Sequence, residues 1–137
     1  MTRTPDQIIR DFGQCWENRD IEGIVNAMTE DCVYANVPIP AMHGHVEVRK
    51  FVTPNLTKAS AVEFKFLSIA TAMDGKTVLC ERLDAFIFGD KRVPIPVMGV
   101  FVLRGEKIAE WRDYSDVASF VRDMKAIGQT PGPGVAV

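Results

Sequence analysis

Apolar residues at the start of the chain recur at helical spacing. Ile8, Ile9, Phe12, Cys15 and Trp16 fall on one helix face. Thr4 followed by Pro5 supplies an N-cap and a first-turn proline. A second, shorter helix is predicted from Asp20, carrying Ile21, Ile24, Val25 and Met28. Residues 31–37, DCVYANV, predict a short strand that Pro38 and Pro40 end. A third helix is expected from near Gly44 through Val46, Val48, Phe51 and Val52, with Pro54 kinking or ending it. After residue 60 the period changes to two. Val62, Phe64 and Phe66 alternate with polar residues, as in a half-buried strand. An Asp-Gly turn at 74–75 opens a hairpin into residues 76–88. GDKR at 89–92 turns again, and 95–103, IPVMGVFVL, is a near-continuous apolar strand. RGEK then leads into a strand over 107–114, and a closing helix is predicted over 116–126, with Val117, Phe120, Val121 and Met124 inward. Helices first and a meander afterwards predict an α+β domain, with helices packed on one side of a curved, mostly antiparallel sheet. One domain over 1–127 accounts for the pattern. The glycines and prolines of GQTPGPGVAV, 128–137, predict a flexible tail.

Composition narrows the function classes. The chain has 137 residues, 47% hydrophobic and 25% charged, which suits one domain with a sizeable core. A net charge of −2 and the lack of a basic stripe argue against nucleic acid or an anionic membrane as partner. No apolar run reaches the roughly 18–20 residues that span a bilayer. The start, MTRTPDQIIRD, turns polar where a secretion signal would need an apolar stretch. Cys15, Cys32 and Cys80 are widely spaced among apolar neighbours and read as small core residues of a cytoplasmic protein. Met28, Met98, Phe86, Phe120 and Trp16 likewise read as core. His43 and His45 have only Glu47 nearby to complete a metal set, so a loop or helix start is expected there. No Gly-x-Ser-x-Gly elbow, P-loop or Gly-x-Gly-x-x-Gly is present, and no nucleotide cofactor is expected.

The candidate chemistry lies in the strands. On 76–88 one face carries Val78, Cys80, Arg82, Asp84, Phe86 and Phe88, so two charges sit side by side on an apolar face. Leu79, Leu83, Ala85 and Ile87 on the other face predict a strand covered on both sides. On 107–114, Ala109, Trp111 and Asp113 share a face. In a meander Asp113 comes within reach of Arg82, giving two carboxylates about one guanidinium. Tyr34 and Asn36 share a face of the early strand and add a hydroxyl and an amide, groups able to hold a water. Two carboxylates in one dry pocket do not both ionise cheaply, so one is an acid and the other a base. Alone, an Arg-Asp pair two apart on a strand is commonly a structural salt bridge, and Tyr34 or Asn36 alone is commonly structural too. Together they equip a pocket to add water to a strained ether. Phe86, Ile95, Val97 and Phe120 are the expected apolar lining.

At these residues the chain resembles the limonene-1,2-epoxide hydrolase family. The resemblance rests on VYANVPIP after two helices, on ERLDAF, on GVFVLRGEKIAEWRDY and on DVASF, and runs over roughly residues 5–125. It implies a cone-shaped, cystatin-like α+β fold. That fold also hosts isomerases, dehydratases, polyketide cyclases and lipophile-binding modules, so fold alone leaves an isomerase or dehydratase, or a non-catalytic binding module, as alternatives. The resemblance further implies that Asp84 is the general acid, Asp113 the general base, Arg82 their bridge, and Tyr34 and Asn36 the water-positioning pair. It implies a small apolar epoxide and water as substrates, one-step trans opening without metal or cofactor, and a homodimer. Pro94 and Pro96 at a strand entrance, and Pro54 in a helix, are expected to reshape the family's pocket.

Overall fold

A computed structural model describes residues 3–130 of the chain. Helix α1 (Pro5–Glu17) starts at a capping box formed by Thr4 and Gln7, and it buries Ile8, Ile9, Phe12 and Trp16. It lies so close to the sheet that a Cβ on Gly13 would stand 2.8 Å from ring atoms of both Phe64 and Phe66. Helix α2 (Ile21–Asn26) is capped by Asp20, whose carboxylate accepts the Gly23 N–H. It ends earlier than its apolar spacing predicts. The Ala27 carbonyl accepts the Ile108 N–H, which draws the chain into the sheet. Met28 therefore begins strand β1 (Met28–Val37) and is not part of the helix.

A two-residue strand, β2 (Met42–His43), has no periodic signal of its own. Helix α3 (Gly44–Lys58) does not stop at Pro54. The Asn55 side chain donates to the Phe51 carbonyl, and Thr57 Oγ1 donates to the Thr53 carbonyl, so side-chain donors serve the helix around the proline. Phe51, Val52 and Leu56 keep this segment packed on the core, whereas Val46 is exposed.

The meander follows as β3 (Ala61–Thr71), β4 (Thr77–Phe88), β5 (Lys91–Arg104) and β6 (Lys107–Ser115), closed by helix α4 (Val117–Ala126). β3 and β5 are longer than their apolar runs because pairing to β4 extends into the polar ends. Pro94 and Pro96 lie opposite Ala85 and Leu83 of β4, ahead of Val97, where pairing to β6 begins. That end of β5 has a strand on one side only, which is where proline is tolerated. The sheet order is β2-β1-β6-β5-β4-β3, antiparallel except for the parallel β1–β6 pair.

The core lies between the helices and one face of the curved sheet. It unites Phe12 and Trp16 of α1, Val48 and Leu56 of α3, and Phe64, Phe101 and Trp111 of the sheet. The opposite face is open, contrary to the expectation that β4 is covered on both sides. Leu67, Leu79, Met98 and Tyr114 are all exposed there, so Met98 is not a core residue. Apolar alternation reported the strand correctly, but no helix of the described chain packs on this face. Of the expected flexible tail, only 128–130 fall among the described residues.

Candidate active site

Three strands bring the candidate residues together. In the parallel β1–β6 pair, Tyr34 stands beside Trp111 and Asn36 beside Asp113. β5 separates β6 from β4, and on it Gly99 pairs with Asp113 on one side and Cys80 on the other. The Arg82 side chain reaches Asp113 across this glycine. A Cβ at position 99 would stand 2.6 Å from Arg82 Nη1 and 2.8 Å from Asp113 Oδ1. The bare backbone of Gly99 is what lets the guanidinium lie there.

The Arg82 fork is fully used. Nε donates to Asp84 Oδ1 at 3.1 Å and Nη2 to Asp84 Oδ2 at 2.8 Å. Nη1 donates to Asp113 Oδ1 at 3.1 Å and Nη2 to Asp113 Oδ2 at 2.8 Å. Trp111 Nε1 adds a third donor to Asp113, at 2.6 Å from Oδ1. The guanidinium carbon lies 4.1 Å from the centroid of the Phe64 ring, a cation–π seat that supports the fork from its face. Arg82 is 1% exposed and Asp113 5%, so both belong to the interior.

Burial and charge act against each other here. Burial pulls the Arg82 guanidinium down, but attraction to Asp113 and Asp84 outweighs it and holds the group well above its ordinary value. For Asp84 the balance is reversed. Burial pushes its carboxyl up to about 6, against the lowering effect of Arg82. The Tyr34 hydroxyl is pushed up by burial and by Asp113, so it stays a neutral phenol. It donates to Asn36 Oδ1 at 3.4 Å, and its ring stacks on Trp111 at 4.0 Å. Asn36 Nδ2 is buried without a partner among the described residues, which leaves a donor for a molecule in the cavity.

The cavity is walled by Phe51, Val62, Phe64, Phe86, Ile95, Val97, Val117 and Phe120, among others. All four residues expected as lining are on it. Tyr34, Asn36, Asp84 and Asp113 reach the same cavity, whereas Arg82 stands behind the two carboxylates and does not line it. Sequence reasoning missed Asn55 and Ser115, which also line it, and missed Gly99. An isolated glycine inside an apolar strand was an available signal of close approach. The two histidines have structural partners. The His43 backbone N–H donates to Glu47 Oε1, and His45 Nε2 lies 2.8 Å from the Met28 carbonyl. Cys15, Cys32 and Cys80 are free thiols.

The family model for the limonene-1,2-epoxide hydrolase catalytic domain matches residues 3–126. Epoxide hydrolase EphG of Mycobacterium tuberculosis is 34% identical over 113 residues, covering 82% of this chain and 74% of that protein. The solved structure of an M. tuberculosis LEH-like epoxide hydrolase superposes with a TM-score of 0.74 at 29% identity, covering 88% of each chain. The epoxide hydrolase/cyclase-like enzyme SalBIII, described in pyran ring formation in the polyether salinomycin, shares the fold. Its TM-score is 0.75 at 21% identity, over 84% of this chain and 92% of that one.

Proposed function

Because the chain belongs to the limonene-1,2-epoxide hydrolase family, we propose that it adds an activated water to an apolar, terpene-like or alicyclic epoxide in one step, giving a trans-opened vicinal diol. The observation that carries this reading is the shared fork of Arg82 on Asp84 and Asp113 at the wall of an apolar cavity.

Water sits between Asp113, the Tyr34 hydroxyl and the free Nδ2 donor of Asn36. Asp113 takes one of its protons as the water oxygen bonds to an epoxide carbon. The carbon–oxygen bond opposite breaks, and its electron pair stays with the epoxide oxygen, which takes the proton of Asp84. Attack and leaving group lie on opposite faces of the carbon, hence the trans opening. The burial that raises Asp84 keeps a proton on it more readily than on an ordinary aspartate. Arg82 never loses its proton and acts by holding both carboxylates. These proton transfers balance without a metal or cofactor. An isomerase on this fold would need one base and no held water, so the Tyr34–Asn36 pair favours hydrolysis.

The protein works as a homodimer in the cytoplasm. The open sheet face, with Leu67, Leu79, Met98 and Tyr114 exposed, offers the apolar surface for a second copy. The three unbridged cysteines suit a reducing compartment.

The deciding experiment is incubation of a panel of cyclic epoxides in ¹⁸O-labelled water. The expected product is a trans diol carrying one labelled oxygen, with Asp84→Asn and Asp113→Asn each nearly inactive while still folded. No diol from any member of the panel, or full activity in either variant, overturns the assignment.

A further inference from the structure

Some polar side chains on the cavity wall have no part in these proton transfers. Asn55 of α3 is 7% exposed and lines the same cavity as Asp84 and Asp113. An amide offers two N–H donors and an oxygen with two lone pairs. Among the described residues this amide makes one hydrogen bond, from Nδ2 to the Phe51 carbonyl at 2.6 Å. Among the described residues its second N–H and its Oδ1 have no partner. Phe51, Val62, Phe86 and Phe120 supply apolar lining of the same cavity, and Glu63 and Ser115 are further polar residues on it.

A hydrocarbon epoxide filling the cavity would expel the water that serves these groups and return nothing. A buried amide stripped in this way is the costly case, whereas one that gains a ligand partner is not. A substrate with a hydroxyl or carbonyl on its carbon skeleton would accept the spare N–H, and a hydroxyl would also donate to Oδ1. We infer that Asn55 reads a second polar group on the substrate, so that the preferred class is an oxygenated alicyclic epoxide and not a plain hydrocarbon one. This rests on the epoxide hydrolase reading and narrows it. The bond to Phe51 also steadies the helix beside Pro54, but that role uses one hydrogen of the amide and leaves the oxygen spare.

The test uses a matched pair, cyclohexene oxide and the same ring bearing a hydroxyl. Binding to the full chain carrying Asp113→Asn is read from the fluorescence of Trp16 and Trp111, which both line the cavity. Diol formation by the unaltered chain gives kcat/KM for each probe as a second reading. The hydroxylated ring is expected to bind about 10- to 100-fold tighter, the range set by one unmatched buried polar group. Asn55→Leu is expected to erase that preference while hydrocarbon binding holds or improves. Equal binding of the two probes, or an Asn55→Leu chain that weakens on both alike, overturns the inference. If Asn55→Leu fails to fold, the preference of the Asn55 chain decides by itself, and its absence overturns the inference. A clear binding preference, with no diol from either probe or from any member of the wider epoxide panel, supports the role of Asn55 and overturns the epoxide reading.

Discussion

Replacing Gly99 by alanine adds one methyl group beneath the buried Arg82 side chain. The new Cβ would stand 2.6 Å from Arg82 Nη1, 2.8 Å from Asp113 Oδ1 and 3.2 Å from Cys80 Sγ. Ordinary contact requires roughly 1 Å more than the shortest of these. The guanidinium cannot retreat freely, because two carboxylates hold its edges and the Phe64 ring lies against its face at 4.1 Å. Overpacking of this kind costs about 1–3 kcal/mol. If the fork gives way at Asp113, a charge-assisted hydrogen bond adds about 1.5–3 kcal/mol more. A total of about 2.5–6 kcal/mol lowers Tm by roughly 9–21 °C in a chain of this size. Activity falls further than stability alone implies, since a displacement near 1 Å at catalytic groups costs on the order of 100-fold in rate. Urea unfolding and initial rates of diol formation, measured on the same preparation well below its Tm, separate the two losses. A Gly99→Ala protein with the unfolding midpoint and kcat/KM of the parent would refute the idea that this glycine admits the fork.

Other outcomes follow from the same site. With its carboxyl pushed up to about 6, Asp84 is protonated below that pH. A general acid there makes kcat/KM decline about tenfold per pH unit above roughly 6. A rate that climbs from pH 5 to 8 contradicts the assignment. The same shift links pH to stability. Folded Asp84 binds more protons than unfolded Asp84 between its ordinary value and about 6. Its contribution is therefore complete below about pH 4 and is lost as pH rises through 6. Relative to Asp84→Asn, the parent should lose up to about 3 kcal/mol between pH 4 and 7.5 in denaturant titrations. A difference that is flat with pH rejects it. Arg82→Met leaves two buried carboxylates without their cation, and unfolding free energy is expected to drop by about 3–5 kcal/mol. A loss below 1 kcal/mol in urea would mean the cluster is not the electrostatic centre described. Leu79→Glu on the open sheet face should convert a dimer to a monomer in sedimentation, with the parent dimeric; a monomeric parent removes that proposal.

The candidate site was more legible than some of its surroundings. Arg82, Asp84 and Asp113 could be placed on inward faces because strand side chains alternate with a period of two, and a charge on an apolar face stands out. Tyr34 and Asn36 were placed on a face by the same rule. Their neighbours on β6 were not, since the parallel pairing of residues 34–37 with 111–114 joins segments far apart in sequence. Asn55 was overlooked because Pro54 suggested that α3 stopped there, and a helix face is harder to orient than a strand face. The open side of the sheet misled for a different reason. The apolar residues Leu79 and Met98 look the same in sequence whether a helix of the same chain or another molecule covers them.

The position of Arg82 behind the carboxylates has a consequence for repeated turnover. On the proposed chemistry each cycle leaves a proton on Asp113 and removes one from Asp84. The enzyme must exchange these before it can act again. The guanidinium touches both carboxylates and would be the shortest bridge, but it has no lone pair and does not give up a proton. The protons must therefore be exchanged on the cavity side, through water admitted as the diol departs. The cavity must readmit water once per cycle, and that recharging step can set the pace even where ring opening is fast.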